Sequence, residues 1–165
     1  VIRFPDARPA FELAPAGSHL ATLYAIVELG TQEIDYGEEV KTQPQIYLGF
    51  ELPDELMADG RPFTVSKTYH FNSHPRAAFR QAVEGLLGRE LRETEVGGFD
   101  IVSLLGSTAV ANIQHKTART GPSYAGLISL SPVPKGVERR REPFNEPLMF
   151  SSSPFDRAAY DALPS

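Results

Sequence analysis

The chain has 165 residues, a length that suits one domain with a core of its own. Its formal net charge is −5 and unevenly spread: residues 1–60 hold three Lys/Arg against eleven Asp/Glu, residues 61–120 eight against five, and residues 121–165 five of each. A uniformly basic surface is excluded, so any nucleic-acid face has to be local to the middle third; the absence of cysteine excludes disulfides, thiolate zinc sites and cysteine nucleophiles, and fits a reducing cytoplasm.

Residues 1–18, VIRFPDARPAFELAPAGS, are rich in Pro and Ala and aperiodic, and are expected to form an extended N-terminal arm without the apolar stretch of a secretion signal. HLATLYAIVELG, His19 to Gly30, is rich in β-branched and aromatic residues and stops at glycine, which predicts strand one. The polar, acidic TQEIDYGEEVKT reads as a long loop, and QPQIYLGFELP, Gln43 to Pro53, as strand two, with Gly49 marking a bulge or bend. DELMADGR is a turn with an Asp-Gly pair. Strand three runs from about Pro62 to Asn72.

Here the period changes from two to three or four. Phe79, Ala82, Val83, Leu86 and Leu87 fall on one helical stripe, with Pro75 in the first turn, Ser73 or His74 as the cap, and Gly88 as the stop. Arg76, Arg80 and Glu84 lie off that stripe, and Arg80 with Glu84 is an i,i+4 pair. GGFDIVSLLG predicts a second short helix or turn, and STAVANIQHKT and PSYAGLISLSPVP two further strands joined by ARTG. Beyond Pro134 the chain is irregular, with a helical turn expected in DRAAYDAL. The division is an arm over 1–18, a barrel domain over 19–136 and a tail over 137–165. No apolar run is long enough to span a membrane as a helix. Three strands, a helix and two strands match a mainly β, five-stranded OB-like Greek-key barrel with the helix between strands three and four, with a sandwich or an SH3-like barrel as the competing folds. An OB barrel binds its ligand on the face of strands two and three.

The stretch from Tyr69 to Thr117, followed by SYAGLISLSPVPKG, carries Ser73, Gly88, Arg89, Phe99, Asp100, Leu104, Leu105, Gly106, Tyr124, Ala125, Pro134, Lys135 and Gly136 in a recurrent arrangement. In this it resembles a family of small phage-encoded proteins found among replication and recombination genes, over about two-thirds of the chain. The chain departs from that pattern at Leu87, where the family places a tryptophan. The resemblance implies an OB-like fold and a single-stranded DNA-binding role in the cytoplasm of a bacterial host. Phage or host replication proteins and further copies of the chain are the implied protein partners.

Single-strand binding needs cations along the phosphates and flat rings under the bases. On strand two Ile46, Leu48, Phe50 and Leu52 share the core face, which turns Tyr47 outward. On strand three Phe63, Val65, Lys67, Tyr69 and Phe71 share one face, and Thr64, Ser66, Thr68, His70 and Asn72 the other. Phe63, Val65 and Phe71 are therefore expected in the core. Lys67 either snorkels at a rim or sits at a bulge that turns Lys67 and Tyr69 outward. The candidate nucleic-acid residues are Tyr47 for stacking, Lys41, Lys116 and Arg119 for phosphates, and Lys67, Tyr69, His70 and Tyr124 beside them. The acidic Glu33, Asp35, Glu38 and Glu39 oppose such affinity.

Arg139, Arg140 and Arg141 read as a phosphate or partner site or as a solvated run. The apolar Phe144, Leu148, Met149, Phe150, Phe155 and Tyr160 point to a tail that docks, either on its own barrel, the favoured reading, or on a neighbouring subunit or partner. The four histidines show no metal-binding spacing, and no nucleotide-binding or nucleophile motif is present, so neither cofactor, metal nor catalysis is expected. The alternative to DNA binding is a non-catalytic module that binds a phage or host protein.

Overall fold

The computed structural model describes residues 13–35, 37 and 40–151, with side chains over 13–30, 37 and 44–150. The protein is mainly β. Its elements are β1 (Gly17–Asp35), β2 (Val40–Leu56), β3 (Pro62–His70), α1 (Ala78–Leu87), α2 (Glu93–Val96), a 3-10 turn (Ile101–Leu104), β4 (Thr108–Thr117), β5 (Ser123–Ser131) and β6 (Leu148–Ser151). The sheet runs β3-β2-β1-β4-β5 with antiparallel neighbours, and β6 adds parallel to β1. It is an open sheet. Among the described residues no ladder joins β3 to β5, so a closed barrel is not formed, and the strands number six where five were expected.

The expected loop after Gly30 is instead strand. β1 continues to Asp35 and β2 begins at Val40, with Gly30 paired to Gln45 and Ile34 to Lys41. Polar residues alternating with Ile34 and Val40 suit a two-stranded ribbon whose backbone groups satisfy each other. β1 is long enough to divide one edge between two partners. Gly17 to Thr22 pair with β4, and Ala25 to Glu28 with β6. The change of partner coincides with a bulge, because Leu23 faces Phe50 and Ala25 faces Gly49, which leaves Tyr24 as the extra residue. The irregularity expected at Gly49 therefore lies on the strand facing it.

The core is built from the inward rows of β1 to β5, with Leu23, Leu48, Phe50, Leu52 and Ile113 fully enclosed, and α1 closes it with Phe79, Ala82, Val83 and Leu86. The helix stops at Gly88, left-handed at φ 74°, as its sequence predicts. Its start differs. The N-cap is Ala77 without a side-chain bond, because Asn72 Oδ1 accepts from His74 N and His74 Nδ1 from Arg76 N, which spends those side chains on the preceding turn. Arg80 faces Glu84 at 4.0 Å as the i,i+4 spacing predicts, and it is 5% exposed because it also donates to the carbonyls of Ser73 and Leu91 and pairs with Glu93 at 2.9 Å. No helix among the described residues is long and apolar enough to cross a membrane.

The segments flanking the sheet are part of its packing. Ala14 is 3% exposed within the core; His115 Nε2 lies 2.7 Å from the carbonyl of Ala14, and His19 Nε2 2.9 Å from that of Pro15. The three consecutive arginines are not a free basic run. Arg139 donates to Leu87 O, Arg140 to Ser103 O and Leu105 O, and Arg141 faces Asp54 at 3.9 Å. Residues 143–150 cross to β2 and end in β6 with Phe150 buried, so this much of the tail docks on its own chain. Phe155, Tyr160 and the helical turn expected in DRAAYDAL lie outside the described residues.

Candidate nucleic-acid interface

On the outer face of β2 the row Tyr47, Gly49, Glu51 alternates with the buried row Ile46, Leu48, Phe50, as the spacing predicts. The bulge at Tyr24 turns that ring onto the same outer face. A Cβ built on Gly49 would lie 3.5 Å from Tyr24 Cζ and 3.5 Å from Tyr47 Cε1, so the two rings meet above the one position in the row with no side chain. Tyr24 reaches across β2 to hydrogen-bond the Thr64 side chain on β3. Its phenol is held above the ordinary range, first by burial and then by Tyr47 and the Glu51 charge, with the Thr64 bond opposing.

These rings border a cleft of about 680 Å³ that opens where β3 and β5 fail to pair. Thr64 and Ser66 add hydroxyls to the tyrosine wall, Phe63 and Val65 form apolar lining, and Tyr124 and Ala125 come from β5. Leu13 and Ala14 occupy part of the gap. The cleft thus has rings, hydroxyls and apolar surface, which suits a flat heterocycle with polar edges, and Asp59 sets one carboxylate at its border.

Two cations, Lys67 on β3 and Lys116 on β4, lie outside the lining of that cleft. Lys67 pairs in regular register with Leu48, so no bulge turns β3, and the lysine stays on the inward side, half-buried at the rim. Its Nζ sits 5.1 Å from the Tyr69 ring centroid. Its pKa is lowered from 10.5, first by burial and then by the charge of Lys116. Lys116 is exposed on β4, opposite Tyr124 in the ladder, and its stem lies over Gly126, where a Cβ would meet Lys116 Cε at 3.2 Å.

The remaining candidates are dispersed. Tyr69 belongs to the core at 5% exposure, edge-on to Phe79 at 5.9 Å, and burial pushes its phenol up to about 12. The unbulged register keeps it inside, so no base reaches it in this conformation. His70 is exposed at the far end of β3, beside Gln45. Arg119 is exposed in the β4–β5 turn. Lys41 pairs with Ile34 through its backbone, and its side chain lies outside the described ones, as do those of Glu33, Asp35, Glu38 and Glu39. Phe71, expected in the core, is 39% exposed at the end of β3, where its N–H still bonds Pro44 O and its ring packs edge-on to Phe79 at 5.3 Å.

Tyr24 is the site residue that sequence reasoning misses. Alternation along β1 cannot assign its face, because the bulge breaks the period there. Among the described residues no group of three or more His, Asp or Glu is placed to hold a metal ion. Compared with models of known protein families and with curated proteins, the chain matches none.

Proposed function

We propose that the protein binds single-stranded DNA without catalysis, by stacking bases on Tyr24 and Tyr47 and drawing the backbone along Lys67 and Lys116. The observation that carries this is the meeting of Tyr24 and Tyr47 over Gly49 beside a cleft that Tyr124 also lines. Rings on an open sheet face take bases without regard to sequence, since every base has a π-face. The order β3-β2-β1-β4-β5, with α1 between β3 and β4, supports reading the sheet as a partly open OB-like barrel, a fold that takes oligonucleotides on the strand two and three face. The assignment to phage replication or recombination, in the cytoplasm of a bacterial host, rests on the family resemblance alone.

Intrinsic fluorescence tests it. The chain has six tyrosines and no tryptophan, so its emission is that of tyrosine. A thymidine oligomer is expected to quench part of that emission, and Tyr47→Leu to reduce the quenching. Emission that stays constant at saturating oligomer and low salt contradicts stacking and favours a protein-binding module.

A further inference from the structure

Glu51 stands on the outer row of β2 with Tyr47 and Gly49, where an open carboxylate would repel phosphate. It is nonetheless 2% exposed. Its oxygens accept from Phe144 N at 2.6 Å, Asn145 N at 2.9 Å and Asn145 Nδ2 at 2.8 Å. Three donors on one carboxylate spread its charge and fix the main chain of residues 144 and 145 over the outer face. The Phe144 side chain, on that fixed backbone, is 67% exposed.

A single exposed apolar side chain is ordinary. The placement of this one is not explained by packing. Successive outward positions on a strand are about 6.6–6.8 Å apart. Along the outer row of β2, Tyr47 holds the first position, the Tyr24 ring covers the second at Gly49, and Phe144 is anchored at the third by Glu51. Two tyrosine rings and the anchored backbone of Phe144 thus follow the one row of β2, and a single strand with unstacked bases needs flat side chains spaced along such a row.

We infer that residues 143–145 belong to the nucleic-acid interface, with Phe144 as a third stacking surface and Glu51 as the positioning residue that holds it. This rests on the single-strand reading of the tyrosine cleft. It assigns the C-terminal segment a binding role beyond completing the sheet.

The test is a fluorescence-anisotropy titration of wild type, Tyr47→Ala, Phe144→Ala and Phe144→Tyr against a labelled thymidine oligomer of about 12 nucleotides, within the usual site size. Phe144→Ala is expected to weaken binding about five- to a hundredfold, with its thermal midpoint unchanged, and Phe144→Tyr to retain wild-type affinity. If wild type binds and Tyr47→Ala weakens it while Phe144→Ala does not, the inference fails and the single-strand reading stands. If wild type does not bind, both fail.

Discussion

Tyr24 lies across Gly49. The bulge at Tyr24 brings its ring over the neighbouring strand, and a Cβ at Gly49 would sit 3.5 Å from that ring and only 3.0 Å from Ala25 Cβ. The glycine is therefore a matter of space. The added methyl would only touch the two rings but would crowd Ala25 Cβ, so Gly49→Ala is expected to shift β1 against β2 beneath Tyr24 and lower single-strand affinity by about 1 kcal/mol or more, the scale of one stacked base. An anisotropy titration beside a thermal melt checks this; unchanged affinity would show that the rings do not use that floor.

Gly85 makes the opposite case for a familiar rule. An interior helical glycine replaced by alanine ordinarily gains about 1 kcal/mol. Here the added Cβ would lie 2.7 Å from the carbonyl oxygen of Leu130 on β5, so α1 would have to move off the sheet. Overpacking of this kind costs about 1–3 kcal/mol. Gly85→Ala is expected to lower stability in urea unfolding, and a gain would mean α1 packs more loosely than described.

Burial of Tyr69 makes stability depend on alkaline pH. Its phenol is raised from 10.0 to about 12 in the folded protein. A group raised on folding contributes fully below its unfolded value and loses that contribution as pH rises through the folded one. Stability is thus expected to decline between pH 10.0 and about 12, by roughly 2–3 kcal/mol at one unit per 1.36 kcal/mol. Chemical unfolding across that range, compared with Tyr69→Phe, isolates the contribution; equal slopes for both proteins would contradict it.

Lys67 acts on binding in the same direction and at lower pH. Burial and Lys116 hold its pKa below 10.5, so it loses its charge before an ordinary lysine does. The charged form is the one that attracts phosphate. Single-strand affinity is expected to fall as pH rises through that lowered value, and Lys67→Arg to remove the early fall, since guanidinium stays protonated. Matching pH profiles for the two proteins would take Lys67 out of the interface.

Where one surface decides an element, its sequence declares it. The stripe of α1, the left-handed stop at Gly88, the alternation on β2 and the pair β4 and β5 all follow from local period and turn chemistry. Tyr47 turns outward for the same reason. What local period cannot show is a bulge, which coincides with the change of β1's partner from β4 to β6 and turns Tyr24 over Gly49. Nor can it show partners distant in sequence: Arg80 is buried because the Leu91 carbonyl and Glu93 come back to meet it, and Glu51 because residues 144 and 145 return over β2. Lys67, ambiguous on paper, is decided by a register that stays regular from Gln45 to Leu52.

The most direct measurement is the affinity of the full chain for a labelled thymidine oligomer at low and at high salt. Tyrosine stacking together with Lys67 and Lys116 predicts binding in the micromolar range or tighter, weakening steeply as salt rises because phosphate contacts release counterions. Anisotropy that stays flat at low salt would contradict single-strand binding outright.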